Sequence, residues 1–204
     1  MVYRRTEKVT SRLVAAREGI LVAAERRVAT DGWGQLTVAR VAKDAGVAVG
    51  TVYRHVTDKD TLCAEVFERA AARELEAVCD AARSDGRPLA ACEAALRTFA
   101  QRALRRPRLA YALLAEPATP TVEEQRLTFR RGYRKLFEGL VAEAIVTGDL
   151  APGHAPTAAA VLVGAMGEGL IGPLAPARAV GPAEHQRVVD ELVTCCLRAL
   201  PRPA

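Results

Sequence analysis

Gly46 separates two short apolar stripes, and that arrangement restricts the fold more than any other part of the chain. Before it, Val38, Val41, Ala42 and Ala45 fall at i, i+3, i+4 and i+7, one face of a helix that Thr37 can cap. Gly46 stands where a helix ends on a left-handed residue, a conformation glycine reaches without steric cost. After it, Val49, Val52 and Val56 share a face, while Gly50 and Arg54 project from the opposite side and Thr51 and Tyr53 from the flanks. The stripes must pack inward, which leaves an outward face that is polar, aromatic and cationic. Such a face suits the major groove of DNA, where hydroxyls bond to phosphate and an arginine can fork onto guanine O6 and N7. Periodicity alone fits an ordinary helical hairpin equally well.

The wider segment, DGWGQLTVARVAKDAGVAVGTVYRHVTDKDTL at residues 31–62, is more specific. It combines Gly32-Trp33, the capping Thr37, the Ala45-Gly46-Val47 turn, and Gly50-Thr51-Val52-Tyr53 followed by His55, Lys59 and Leu62. In these spacings it closely resembles the signature of the TetR family of bacterial transcriptional regulators. Val56 departs from the pattern, since the family usually carries phenylalanine there, and this bears on local packing. The resemblance implies an all-α protein with an N-terminal three-helix helix-turn-helix DNA-binding domain, followed by a larger helical ligand-binding and dimerisation domain. On the residue pattern Arg54 is the expected base contact, with Val49 and Gly50 close to the base edges. Thr37, Thr51, Tyr53, His55 and Lys59 are assigned to phosphates by their flanking positions and by carry-over from the family's motif.

Charge agrees with a basic module at one end. The 204 residues carry a net charge of +5, and residues 1–62 hold eleven Lys/Arg against seven Asp/Glu. A basic module beside a nearly neutral one fits a nucleic-acid contact followed by a different function. Arginine frequency itself carries no weight, because only four of the 29 basic residues are lysine and alanine is abundant, a bias typical of a GC-rich genome. Cys63, Cys79, Cys92, Cys195 and Cys196 are odd in number and lack C-x-x-C spacing, so neither a disulfide framework nor a zinc site is indicated. A buried, inert role for most of them outweighs redox sensing by the vicinal Cys195-Cys196 pair. MVYRRTEKVT lacks the apolar run of a signal peptide, and residues 155–171 are too short, too rich in Ala and Gly and interrupted by Glu168 to read as a membrane span. A cytoplasmic protein is expected.

Leu13, Ala16, Ile20, Ala24 and Val28 predict a first helix over 11–30 that covers the helix-turn-helix, with Trp33 wedged between them. Arg4, Arg5 and Lys8 in the tail could reach phosphate or a minor groove. Thr57 with Asp60 resembles a capping box opening a long connecting helix over 58–82. The expected division is a DNA-binding domain at 1–57 and an effector-binding, dimerising domain at 58–204, with SDGRP at 84–88 the strongest punctuation after the connecting helix. Further helices are predicted at 89–105, 107–116, 121–147, 155–172 and 183–199, separated by prolines, the GDLAPGHAP run and the PLAPARAVGP run. No strand-like alternation appears, so the fold is expected to be all-α. The last two helices are apolar or small-residue on more than one side, and the family resemblance implies that they pair with a second subunit as a four-helix bundle.

Catalytic motifs are not found. Gly167-Glu168-Gly169-Leu170-Ile171-Gly172 matches G-x-G-x-x-G formally, but no βαβ unit surrounds it, and close helix packing explains the glycines better. No Glu-x-x-His pair, Walker loop, G-x-S-x-G or H-E-x-x-H occurs, so no catalytic residue, metal or cofactor is assigned. Phe99, Tyr111, Phe129, Tyr133, Phe137 and Met166 are the candidates for an apolar effector cavity, with Glu116, Glu168 and His154 as polar anchors. The expected partners are duplex operator DNA, a second copy of the chain and a small-molecule effector, with no membrane. A helical small-molecule-binding or catalytic protein that uses its N-terminal helices as scaffold is the alternative from another class. An effector-independent regulator is the third reading.

Overall fold

A computed structural model describes residues 3–83, 86–175 and 181–203, with side chains from residue 10 onward. The side chains of Arg4, Arg5 and Lys8, Ser84-Asp85 of the SDGRP turn and residues 176–180 of the PLAPARAVGP run therefore lie outside the described residues. Among those described, all regular structure is helical: α1 (Tyr3–Asp31), α2 (Val38–Ala45), α3 (Val49–Tyr53), α4 (Lys59–Arg83), α5 (Pro88–Arg105), α6 (Pro107–Leu114), α7 (Pro120–Val146), α8 (Ala155–Leu174) and α9 (Pro182–Arg198). A 3-10 turn at Trp33–Gln35 links α1 to α2. Helices α5 to α9 each carry proline in the first turn, where the missing N–H costs nothing and the fixed φ favours helix entry.

Two apolar cores organise these helices. The first joins Ile20, Ala24 and Val28 of α1, Val41 of α2, Val52 of α3, and Leu62, Val66 and Phe67 of α4. It continues into Leu109, Ala112 and Leu113 of α6 and Val122 of α7, so the helix-turn-helix rests on the remainder of the chain instead of on α1 alone. The second core lies among α5, α7, α8 and α9 and takes Val78 and Ala82 from the far half of α4. Helix α4 is therefore shared between them. Close to the seam, Glu25 of α1 is only 8% exposed. It accepts hydrogen bonds from Arg73 of α4 at 2.7 and 2.9 Å and from Arg106 at 3.1 Å, just before α6.

The start of α4 differs from the sequence reading. Asp58, not Thr57, caps it, its Oδ1 accepting from the Thr61 amide at 2.8 Å. A carboxylate one residue before the helix reaches that amide directly. Asp60 is thereby released to accept from the Thr121 hydroxyl of α7 at 2.6 Å, which pins the head of α4 to α7. Trp33 is buried, but it does more than wedge between α1 and the turn. Its Nε1–H donates to the Ala112 carbonyl of α6 at 2.9 Å, and its ring lies 6.4 Å from that of Phe67.

Helix α8 is longer than expected, and by length and composition it is long and apolar enough to cross a membrane. In the fold it packs against α5, α6, α7 and α9, burying Ala159, Leu162, Met166, Leu170 and Leu174. Its glycines sit within the helix, and close packing requires one of them, Gly169, whereas Gly164, Gly167 and Gly172 have open space around the missing Cβ. A Cβ at Gly169 would lie 2.7 Å from Cδ1 of Leu192 on α9. A dinucleotide loop is thus ruled out there.

Candidate nucleic-acid interface and ligand cavity

The helix-turn-helix is held by backbone chemistry at both ends of α2. Thr37 Oγ1 accepts from the Arg40 amide at 3.3 Å, which leaves its hydroxyl proton free for an outside acceptor. Gly46 ends α2 at φ 68°, and its N–H bonds back to α2 carbonyls. Helix α3 is shorter than the valine stripe suggests. It closes at Tyr53, with Arg54 as its C-cap.

Val52 and Val56 are buried, whereas Val49 is 43% exposed and belongs to the outward face. The three valines therefore do not form one inward stripe: Val52 and Val56 enter the core, and Val49, the first residue of α3, faces outward. Val49, Gly50, Tyr53 and Arg54 are all exposed, and at i, i+1, i+4 and i+5 they share one side of α3. Thr37 and Lys59 are exposed at the flanks, and Thr51 and His55 are half-buried. The side chains of Arg54 and Lys59 enter no ion pair or hydrogen bond among the described residues. By contrast Arg27 of α1 is engaged by Asp31 and Asp44, and Arg40 by Gln35. A Cβ added at Gly50 would meet nothing within 4 Å, so nothing inside the protein requires glycine at that position.

Between the two cores lies a cavity of about 90 Å³ lined by α4, α5, α6, α7 and α8. Of the sequence candidates it brings together Phe99, Phe129, Tyr133, Phe137 and Met166. The other four stand elsewhere. Tyr111 is half-buried with the Arg108 guanidinium 5.9 Å from its ring, and Glu116 is taken up by that same Arg108 at 2.7 and 2.9 Å. His154 is the exposed residue before α8, bonded to Thr157 at 2.7 Å, and Glu168 is exposed on α8. Glu116 and His154 lie in the connections after α6 and before α8, and Tyr111 and Glu168 stand on helices whose lining residues are others, so spacing alone could not place these four.

The lining includes groups that the aromatic pattern does not reveal, namely Glu74 and four arginines, Arg102, Arg106, Arg126 and Arg130. A signal was available, because Arg126, Arg130, Tyr133 and Phe137 fall at i, i+4, i+7 and i+11 on one face of α7. Arg102 donates to Glu74 through Nε at 2.6 Å and Nη2 at 3.1 Å. Tyr133 stacks edge-on against Phe99 with centroids 5.1 Å apart. Burial, reinforced by the Glu74 carboxylate, pushes its phenol well above the usual range, so it faces the cavity as a neutral group.

Arg126 joins the cavity to the DNA-facing module. It donates to the carbonyls of Ala112 at 3.2 Å, Leu113 at 2.9 Å and Glu116 at 2.8 Å, serving the end of α6, and it also pairs with Glu123. The Ala112 oxygen thus accepts both from Trp33, just after α1, and from a cavity-lining arginine of α7. Arg108 adds a second link, donating to the Asp31 carbonyl at 3.1 Å. Gly32 allows it. At φ 82° and ψ −176° it adopts a conformation open essentially to glycine alone, and a Cβ there would lie 1.6 Å from the Arg108 guanidinium.

The cysteines remain free thiols, Cys63, Cys92 and Cys196 buried and Cys195 exposed. Burial raises Cys63 and Cys196 to about 11 and Cys92 to about 12, so little thiolate is present at neutral pH. Among the described residues no group of three or more His, Cys, Asp or Glu could hold a metal ion.

Residues 20–66 match the family profile described as bacterial regulatory proteins, tetR family. No protein of curated function matches the chain in sequence. Among solved structures, the fold is similar to that of the fatty acid degradation regulator FadR from Bacillus halodurans, at 18% identity over 90% of this chain and 98% of that one, with a TM-score of 0.75. It is similar also to FadR from Bacillus subtilis in complex with stearoyl-CoA, at 17% identity over 88% and 97% of the chains, TM-score 0.76. A third is NalD, the secondary repressor of the MexAB-OprM multidrug efflux pump in Pseudomonas aeruginosa, at 22% identity over 93% and 98%, TM-score 0.70. At these identities the likeness to the three structures is one of fold.

Proposed function

We infer that the chain, whose residues 20–66 match the profile of the tetR family of bacterial regulatory proteins, is a cytoplasmic repressor of that family that binds a palindromic operator as a homodimer and is released by a small-molecule effector. The observation that carries the reading is the outward face of α3, where Val49, Gly50, Tyr53 and Arg54 stand exposed and Arg54 is unpaired. Side chains in that position dock in the major groove, Arg54 reading a base, with Val49 and Gly50 beside the base edges. Thr37, Thr51, Tyr53, His55 and Lys59 hold phosphates and fix the register.

The division of labour falls near residue 57, with the connecting helix α4 carrying the signal between the parts. Dimerisation is assigned to α8 and α9, and one feature of α8 supports it. Thr157, Val161, Gly164, Glu168 and Gly172 make an exposed face on an otherwise apolar α8, and Val161 is 49% exposed. Two copies joined there must set their α3 helices about 34–36 Å apart to occupy successive major grooves of one duplex face.

Release follows from a change in that spacing. Occupancy of the cavity displaces Arg126 or the far half of α4, and the shared Ala112 carbonyl passes the movement to Trp33 and the helix-turn-helix. The effector must favour the DNA-free form by its differential affinity for the two states. Selection of bound fragments from random duplex DNA, followed by titration of the recovered sequence, tests the reading. Recovery of a palindrome bound by two chains supports it, and recovery of no shared sequence contradicts it.

A further inference from the structure

The charges around the cavity are unequal in number and unequally occupied. Four arginines face one glutamate, and three of the four are committed within the fold: Arg102 to Glu74, Arg106 to Glu25, and Arg126 to Glu123 and three carbonyls. Of the four, Arg130 alone enters no ion pair or hydrogen bond among the described residues, and like Arg106 it is exposed. Among the four it is therefore the guanidinium whose charge is not already paired with a carboxylate. Arg134, one turn further along α7, is likewise exposed and unpaired, and it extends the positive field outside the cavity.

The deeper wall makes the opposite demand. Phe67, Val78, Phe99, Phe137 and Met166 offer hydrocarbon, the Tyr133 phenol stays neutral, and the Glu74–Arg102 pair satisfies itself. An ion placed among these side chains would lose hydration with no counter-charge to replace it. At about 90 Å³ the space is small beside cavities that hold drug-sized ligands, typically about 300–1,000 Å³, and it is smaller than the roughly 150 Å³ that holds a benzene ring, so it has room for a short chain of about three or four carbons.

We propose that the cavity takes a short-chain organic anion, its hydrocarbon part lying among the apolar side chains and its carboxylate or phosphate head received by Arg130. The proposal rests on reading this cavity as the effector site, and it adds the chemical class of the effector and the residue that selects it. Arg130 is a specificity determinant through a charge-assisted hydrogen bond, whose directional fork suits both head groups.

The test uses the full chain and four probes of one short chain length: butanoate, butyl phosphate, butanol and butyltrimethylammonium. Affinities are read by calorimetry and by the fluorescence of Trp33, the single tryptophan. At least one anion should bind about tenfold tighter than the alcohol, and the cation should bind weakest. Whichever anion binds tighter identifies the head as carboxylate or phosphate. Arg130→Gln should bring the favoured anion down to the affinity of the alcohol.

Equal binding of alcohol and anions, tighter binding of the cation, or a preference that survives Arg130→Gln would overturn the proposal. Operator binding is followed in the same samples. If DNA is bound specifically but none of the four probes binds, the proposal falls and the regulator reading stands. If the anion preference appears while operator affinity never changes, effector release falls and the ligand class stands.

Discussion

At the scale of single residues, recognition depends on side chains that the fold does not use. Arg54 is unpaired and exposed, so Arg54→Ala should leave the thermal midpoint near that of the wild type. It should cost about 1–3 kcal/mol of operator binding and relax sequence preference. Lys59→Ala should instead weaken all duplexes alike and reduce the salt slope by about one unit, measured by anisotropy titrations at several salt concentrations. Gly50 separates folding from binding more sharply. With open space around its missing Cβ, Gly50→Ala should raise helix stability by up to about 1 kcal/mol while weakening operator binding, because the methyl group meets only DNA. Parallel melting and binding curves check both directions, and unchanged binding would remove Gly50 from the interface.

At the scale of elements, the links between helices carry both stability and signal. Burial pushes the Glu25 carboxyl up, but the hydrogen bonds and charges of Arg73 and Arg106 outweigh this and hold it below its ordinary value of 4.5. A depressed folded-state value gives stability that is present above about pH 4.5 and is lost as pH falls through the folded value. Glu25→Gln should therefore cost about 2 kcal/mol at neutral pH, with the gap to wild type narrowing in acid, as melting temperature against pH would record. Trp33→Phe keeps the apolar ring but removes the donor to Ala112. It should lower the midpoint by about 2–4 °C and shrink the loss of operator affinity on cavity occupancy. Most helix bounds were legible in the sequence because prolines stand in the first turns of five helices and Gly46 ends α2 at positive φ, but the start of α1 was not, since that helix begins at Tyr3 where a tail was expected up to residue 10. The cavity was only half legible. Arginines on α5 and α7 look like compositional bias or solvated faces, and their position on a shared void depends on five helices meeting. The reach of Trp33 to a carbonyl 79 residues away has no local signal at all.

At the scale of the whole molecule, the chain is two cores sharing α4, and the proposed switch requires two such chains. The exposed Val161 face of α8 has few internal contacts to lose, so Val161→Asp should fold normally yet shift sedimentation from dimer to monomer. Operator binding should weaken at least tenfold, since each chain would then contact a single half-site. The most direct measurement is the ratio of affinities of the wild-type chain for its selected palindrome and for random duplex of equal length at physiological salt. The account predicts a preference of about 10³ or more, with two chains bound per palindrome. Equal affinity for both duplexes would mean that the outward face of α3 reads no sequence, and would contradict the account at its centre.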